Sequence, residues 1–198
     1  MGEFELIRRY FSDCGARRAD IAVGVGDDCA LLRPDSARLL AVSIDTLVAG
    51  VHFFPEVAPD ALGHKALAVN LSDLAAMGAE PAWFTLALTL PASDPDWLAA
   101  FADGLCGLAR RFGIRLVGGD TTRGPLAVTL QVHGWVAQDR VLPRQGARPE
   151  DWVCVTGNLG DAALALRLKR LGESVPEILQ QRLDRPWPRV AEGLALGG

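Results

Sequence analysis

Between residues 39 and 136, some segments have the hydrophobic pattern of a strand and others that of a helix. These segments alternate along the chain, which predicts strands and helices in turn. Short apolar runs of strand length occur at 39–45, 83–90, 114–117 and 126–136. A longer apolar stretch begins at Asp60 and stops at Gly78, which predicts a helix. A second helix is expected from a capping box at Ser93 and Asp96 to Gly113.

With the short apolar run that follows Asp28 counted as a first strand, the order of these elements is β-β-α-β-α-β-β, which predicts an α+β fold. Its mixed sheet would carry helices on one face. The stretch GGDTTRGP at 118–125 is rich in glycine and small polar residues, and it is interpreted as a turn between two strands.

The pattern starts again after Arg148, so we divide the chain into 1–148 and 149–198. A strand is expected at 152–156, then a glycine turn, then a helix at 161–171. The last residues have the pattern of a further helix with no closing strands. We therefore expect 149–198 to be the beginning of an incomplete α/β domain, and the chain to be a fragment.

Composition narrows the class of protein. The 198 residues are 49% hydrophobic and carry a net charge of −4, which argues against a nucleic-acid-binding surface. The four cysteines form no CxxC pair, so neither a zinc site nor a disulfide is expected, and a reducing compartment fits. The N-terminus lacks the pattern of a signal peptide and no apolar run has membrane-spanning length, so a cytoplasmic location is expected.

Acidic residues stand at unusual places along this pattern. Five are notable because they lie beside glycines, at strand ends or within an apolar helix: Asp27, Asp28, Asp45, Asp73 and Asp120. The helix around Asp73 is apolar almost all round, so it is expected to be buried, and a charged carboxylate there needs a partner or a metal. Taken singly, each acid is better explained as a turn or helix-cap residue than as a ligand, and only their joint occurrence favours a site.

Together these acids favour a magnesium site. Two carboxylates 4 Å apart repel each other by about 4 kcal/mol at an effective dielectric constant near 20. Three or four that converge would exceed the stability of a typical domain unless divalent cations held them. Oxygen donors without clustered His or Cys favour Mg²⁺ over Zn²⁺.

Four segments also carry a family resemblance. They are GVGDDCALL, SIDTLVAGVHF, KALAVNLSDLAAMGAEPAWFTLALTLP and GGDTTRGPLAVTLQVHGWV. In this order and spacing they closely resemble the thiamine-monophosphate kinase family, a branch of the aminoimidazole ribonucleotide synthetase-like superfamily. The likeness runs from Gly2 to the end of the chain, and NLSDLAAMGA and GGDTTRG are its most specific parts.

The resemblance implies a fold and an activity. The first domain would be the superfamily's N-terminal α+β domain, which dimerises through its strands, and an α/β domain would follow. The reaction would transfer a phosphoryl group from ATP to thiamine monophosphate, with Mg²⁺ as cofactor. The acceptor is a phosphate oxygen that is already anionic at neutral pH, so no general base and no catalytic side chain of that kind is expected.

The resemblance also assigns residues to roles. Magnesium would be bound by side chains or, at position 44, by the main chain: Asp28, Ser43, Ile44, Asp45, Asp73 and Asp120. ATP would contact Gly119, Asp120 and Arg144. The substrate would contact His52. Asp27 is a second-rank candidate for the site. The family pattern leads us to expect Thr at position 44, where a main-chain ligand tolerates Ile.

Two alternatives stay open at this point. The family's second domain carries a motif resembling D-I-S-D-G, which does not occur here. The chain is therefore compatible with another ATP-using synthetase of the superfamily, or with a non-catalytic fragment that binds Mg²⁺ and nucleotide and dimerises.

Overall fold

A four-stranded mixed sheet organises the computed structural model, which describes residues 2–197. The strands are β1 (Ile21–Val23), β2 (Leu31–Leu32), β3 (Leu39–Val48), β4 (Glu80–Leu90), β5 (Arg115–Arg123) and β6 (Ala127–Val136). The helices are α1 (Glu3–Leu6), which continues as a π-helical turn (Ile7–Phe11), α2 (Pro59–Ala76), α3 (Pro95–Arg111), a 3-10 turn (Gln138–Arg140), α4 (Asp161–Arg170), α5 (Glu177–Asp184) and α6 (Val190–Gly197). The sheet order is β3-β6-β4-β5, with β6 antiparallel to both neighbours and β5 parallel to β4.

Helices α2 and α3 cover one face of this sheet, as the element order predicted. Side chains from that face, including Phe84, Leu130 and Val132, are fully buried against the two helices. The opposite face is covered only in part, where the β1–β2 hairpin packs on Trp83 and Trp135. The rest of that face is open.

The open part of the sheet is apolar along β3. Leu40, Val42 and Ile44 alternate on one side of the strand and remain 47%, 52% and 59% exposed. β3 is also an edge strand of the sheet. An edge with a continuous apolar stripe is a surface that another chain can cover.

Helices α2 and α3 touch backbone to backbone at two glycines. A Cβ at Gly104 would lie 1.9 Å from the carbonyl oxygen of Asp60, and one at Gly63 would lie 2.2 Å from that of Phe101. Neither position has room for a side chain, so the two glycines set how closely the helices pack.

Two local predictions were wrong. The segment GGDTTR is not a turn, because residues 118–123 continue β5 and pair with β4 as far as Arg123. The glycines suggested a break, but a full-length neighbouring strand supplies hydrogen-bond partners for this backbone. Helix α3 begins at Pro95 and its cap is Asp94, whose carboxylate accepts from the amides of Asp96 and Trp97; Ser93 does not cap it.

The strand expected at 152–156 is also absent from the described part of the chain. Trp152 and Val153 are 93% and 96% exposed, and no strand lies beside them to pair with. The helix at 161–171 is confirmed as α4. Farther along, α6 packs on α2 so closely that a Cβ at Gly193 would lie 2.1 Å from the carbonyl oxygen of Ala75.

The expectation about cysteines needs a correction. Cys14 and Cys106 form a disulfide across 92 residues, whereas Cys29 and Cys154 are free and exposed. Sequence spacing gave no sign of the bond, because the two half-cystines lie on different elements that only the fold brings together. No helix within 2–197 combines the length and apolar character needed to cross a membrane.

We predict that Gly104→Ala lowers the free energy of unfolding by about 2 to 4 kcal/mol, as expected when a buried contact is overpacked. Gly107 lies in the same helix, and a Cβ added there would have no atom within 4 Å, so it is the matched control. Gly107→Ala should be neutral or stabilising by up to about 1 kcal/mol, because alanine favours the helix. Urea unfolding of both variants measures the difference; equal effects would contradict the close contact.

Candidate metal and nucleotide site

The first group of candidate residues lies where β3 meets the last turns of α2. Ser43 on β3 donates a hydrogen bond from Oγ to Oδ2 of Asp73 on α2, at 2.7 Å. Asp45 follows on the same side of β3, because side chains two residues apart share a face of a strand. The sheet edge and the helix therefore bring these three oxygen-bearing side chains together.

The charges in this group interact. Burial raises the pKa of Asp45, and the negative charge of Asp73 raises it further, while His52 opposes the shift. A carboxyl group whose pKa is raised by a neighbouring carboxylate is one that a cation would stabilise in its ionised form. His52 is close enough to share in this balance.

His52 is held in a defined orientation by the turn that contains it. The amide of Val48 donates to Nδ1 of His52 at 3.0 Å, so the proton of the neutral ring lies on Nε2. Lys65 on α2 donates from Nζ to the carbonyl oxygen of His52 at 3.5 Å. Lys65 was not singled out from the sequence, because nothing in its local pattern shows that it reaches this turn.

The expectation that Asp73 is buried was wrong. Helix α2 is buried by the sheet, α3 and α6, but Ser72, Asp73, Ala76 and Met77 are exposed. The apolar composition of the helix hid this narrow exposed strip beside β3. Asp73 therefore reaches the surface, where it can bind a ligand without the full cost of burying a charge.

Ile44 lies between Ser43 and Asp45 but faces the other side of the sheet. Its side chain is 59% exposed there and pairs across the strand with Gln131. Only the main chain of Ile44 can therefore serve a cation bound beside Asp45. Isoleucine at this position is compatible with such a site.

The second group lines a cavity of about 680 Å³ at the other edge of the sheet. Asp27 and Asp28 come from the loop between β1 and β2, and Asp120 comes from β5. The amide of Asp28 donates to Oδ1 of Asp27 at 2.9 Å, within this loop. Gly119 lines the same cavity.

Gly119 has a structural reason to be glycine. Its φ is +152°, and a Cβ would lie 1.9 Å from the carbonyl oxygen of Leu86 on β4. The main chain of β5 thus approaches β4 closely at this point while its other side faces the cavity. Such an exposed main chain is suited to contact phosphate oxygens.

The N-terminal segment supplies an apolar wall that sequence reasoning missed. Phe4, Ile7 and Phe11 line the same cavity as the acids. Their spacing of three and four residues is that of one helical face, so the signal was present in the pattern FELIRRYF. An apolar wall facing carboxylates can accommodate a ligand with both a ring system and phosphates.

The two groups lie at opposite edges of the sheet. A row of paired residues runs Thr46, Thr129, Ala87 and Asp120 across the four strands. Three strand spacings separate its ends, which is about 14 Å at roughly 4.8 Å per strand. Among residues 2–197 no three His, Cys, Asp or Glu side chains come close enough to hold one metal ion.

Arg144 lies apart from both groups. It is exposed in the segment that follows the 3-10 turn, and it does not line the acidic cavity. Its expected contact with ATP therefore stays a prediction.

Comparison with known proteins places this geometry in a family. The family model for AIR synthase related protein, N-terminal domain, matches residues 26–136. The chain belongs to this family. The matched region contains Asp27, Asp28 and the four strands of the main sheet.

Within the AIR synthase related family, the chain is similar to thiamine-monophosphate kinases. That of Salmonella typhimurium is 54% identical over 200 residues, covering 98% of the chain and 62% of that protein. The crystal structure of the Stenotrophomonas maltophilia kinase superposes with a TM-score of 0.87 at 49% identity, covering 91% of the chain and 60% of that one. AaThiL complexed with AMPPCP and TMP gives a TM-score of 0.76 at 30% identity, covering 87% and 57%.

These similarities confirm the resemblance noted from the four segments. The chain spans 62% of the length of the Salmonella relative. Because the remaining part of that relative has no counterpart in these 198 residues, the activity and substrates of the whole protein are inferred rather than read from the chain itself.

We predict that Asp73→Asn lowers the pKa of Asp45, because it removes the neighbouring negative charge while burial remains. The change is measured by following the Asp45 carboxyl carbon by NMR during a pH titration. Ser43→Ala is the control, since it removes the hydrogen bond to Asp73 but leaves its charge. An Asp45 pKa that does not move in Asp73→Asn would show that the two carboxylates are not coupled.

Proposed function

We propose that the chain is the N-terminal part of a thiamine-monophosphate kinase that uses ATP and Mg²⁺ to make thiamine diphosphate. The observation that carries this proposal is 54% identity along 98% of the chain to a protein of that name. AaThiL complexed with AMPPCP and TMP, which has the same fold, supports the choice of nucleotide and acceptor. The two acidic groups on the sheet supply the donors that such a reaction needs.

The donor set fits magnesium. Asp28, Ser43, Asp45, Asp73 and Asp120 offer carboxylate or hydroxyl oxygens, and the main chain of Ile44 offers a carbonyl. Hard oxygen donors of this kind suit Mg²⁺, which commonly keeps positions open for phosphate oxygens. When bound, the cation neutralises phosphate charge.

The phosphoryl transfer requires no side chain that acts as a general base. An oxygen of the acceptor phosphate attacks the γ-phosphorus of ATP, the bond from that phosphorus to the β,γ-bridging oxygen breaks, and ADP leaves. The attacking oxygen is already anionic, because the second pKa of a phosphate monoester is near 6. The main requirement is to hold two polyanions together, which agrees with a site that is rich in aspartate.

His52 would then position the acceptor. Its ring is fixed through Nδ1, so the proton on Nε2 can be donated to an oxygen of the substrate. The ring lies beside Asp45, near the expected phosphates. Gly119 and Asp120 would contact the nucleotide from the cavity, and Arg144 would do so from its exposed loop.

The separation of the two acidic groups favours a site shared between two copies of the chain. A gap of about 14 Å is too wide for one magnesium ion, whose oxygen ligands lie about 2.1 Å away. A two-fold axis along the strand direction would set β3 of one copy beside β5 of its partner. The edge of one copy that carries Ser43 and Asp45 would then lie beside the edge of the other copy that carries Asp120.

The open face of the sheet supports this dimer. Its apolar stripe of Leu40, Val42 and Ile44 lies on the edge strand that carries Ser43 and Asp45. Burying this stripe against a second copy would stabilise the pair and bring the acidic edges together in one step. We therefore propose a homodimer formed through the strands.

Mixing two inactive variants tests the shared site. Asp45→Asn and Asp120→Asn should each lose Mg²⁺-dependent ATP binding as homodimers. In a mixed dimer, one of the two sites keeps both aspartates if they come from different copies. Random re-pairing of equal amounts should thus restore about a quarter of the wild-type sites, as measured by calorimetric stoichiometry.

The control is each variant refolded alone, which should restore nothing. A mixture that also restores nothing, although mass spectrometry shows mixed dimers, would place both aspartates of a site on one copy. A chain that stays monomeric at micromolar concentration would contradict the dimer.

A phosphoryl-transfer assay tests the activity. We expect a chimera of this chain with the remaining C-terminal part of the Salmonella relative to form thiamine diphosphate from ATP and thiamine monophosphate. The chimera with Asp73→Asn should fold equally well and lose at least about 100-fold in rate, as expected on weakening electrostatic stabilisation of the phosphates. The control substrate is an aminoimidazole-type phosphate acceptor, whose phosphorylation instead would favour another synthetase of the superfamily.

The chain covers 62% of the length of the Salmonella relative, so the alternative of a non-catalytic fragment is kept. If the chain alone binds Mg²⁺–ATP but only the chimera transfers phosphate, the chain itself is a nucleotide-binding dimerisation module. We also infer that it acts in the cytoplasm, where ATP is abundant.

A further inference from the structure

Cys14 and Cys106 are a buried pair outside the acidic site. Cys14 is 1% exposed and follows the N-terminal segment, while Cys106 is 6% exposed and lies on α3. The disulfide joins them across 92 residues. Disulfides in reducing compartments are usually reversible, so the question is how a reductant would reach this one.

A cavity of about 220 Å³ opens onto Cys106. Its lining includes Arg9, Asp13, Asp103 and Arg110. The volume suits a small molecule, and Cys106 is the half-cystine that lines it. Cys14 is not among the lining residues.

Arginines surround this cavity. Arg115 holds the pKa of Asp13 below its usual range through a hydrogen bond of 2.8 Å, and Arg17 and Arg110 lower it further. Among the lining residues, Arg9 and Arg110 balance Asp13 and Asp103, and Arg17 and Arg115, which lie close enough to Asp13 to lower its pKa, add two positive charges beside the cavity. Such a field favours the approach of anions.

We propose that Cys14 and Cys106 are a reversible thiol–disulfide pair, opened through this cavity by a small anionic thiol. The thiolate attacks Sγ of Cys106, forming a mixed disulfide as the Cys14–Cys106 bond breaks, and Cys14 leaves as a thiolate that takes up a proton. A second thiol attacks the outer sulfur of the mixed disulfide. That step frees the Cys106 thiol and releases the small molecule as its own disulfide.

The bond has a mechanical consequence for the acidic cavity. It ties α3 to the segment whose Phe4, Ile7 and Phe11 form the apolar wall. Without the bond, that segment is held by weaker contacts, such as the edge-to-face packing of Phe11 on Phe101 and the hydrogen bond from Arg115 to the carbonyl oxygen of Ser12. Reduction therefore loosens this wall without detaching it.

Thiol counting tests the pair. The chain is equilibrated with oxidised glutathione and the excess is removed. Oxidised glutathione also caps the exposed thiols Cys29 and Cys154, so after this treatment mass spectrometry should find glutathione on those two cysteines only, and the unfolded chain should show four reactive thiols after reduction. A variant with Cys29→Ala and Cys154→Ala should show no reactive thiols before reduction and two after it. Glutathione bound to Cys14 or Cys106, or two reactive thiols in the oxidised double-alanine variant, would overturn the proposal.

Reduction kinetics test the route. The rate constant for reduction of the disulfide by glutathione, an anion, is divided by the rate constant for reduction by neutral 2-mercaptoethanol. Replacing Arg9→Ala and Arg110→Ala together should lower this ratio by about fivefold, as expected on removing two cations from the path of an anion. Arg8→Ala is the control, since Arg8 does not line the cavity, and an unchanged ratio in the double variant would overturn this entrance.

Hydrogen exchange of backbone amides tests whether reduction of the disulfide loosens the apolar wall. Residues 4–11 should exchange faster after reduction of the wild-type chain. In Cys14→Ala/Cys106→Ala they should exchange at the faster rate whether or not reductant is present, with circular dichroism confirming that the variant is folded. Exchange that is unaffected by reduction would overturn the link to the wall, and none of these measurements depends on kinase activity.

Discussion

The width of the four-stranded sheet is the constraint on which the proposed chemistry depends. Asp45 and Asp120 lie on strands at opposite edges, so one copy of the chain keeps these two charges apart. The same separation makes each half of the site incomplete. In the proposed dimer a second copy would close this gap, and cation binding would then be coupled to association.

Backbone contact between helices determines where the first acidic group lies. Gly63 and Gly104 allow α2 and α3 to pack without intervening side chains, and Gly193 lets α6 approach α2 on another side. With these sides occupied, only the strip containing Asp73 remains open, and it faces Ser43. Packing that is remote from the site thus decides which carboxylate of α2 reaches it.

The sequence predicted those features that local pattern controls. Strands β3, β4 and β6 and helices α2 and α3 were found because their periodicity is decided within each segment. Continuation of β5 through Gly119 depends on pairing with β4, and the exposure of Asp73 depends on how α2 packs, so neither could be inferred locally. The Cys14–Cys106 bond, which spans 92 residues, is of the same kind. The acids were singled out by residue type, but their separation appeared only with strand order.

The N-terminal segment, residues 4–11, connects the acidic cavity to the Cys14–Cys106 disulfide. One of its faces lines the cavity that contains Asp28 and Asp120, and the cysteine that follows it is covalently joined to α3. A ligand that binds against Phe4, Ile7 and Phe11 would favour the conformation in which this wall is formed. Because the disulfide favours the same conformation, ligand binding and disulfide formation should stabilise each other. By linkage, the bond would then be harder to reduce in the liganded chain than in the free one.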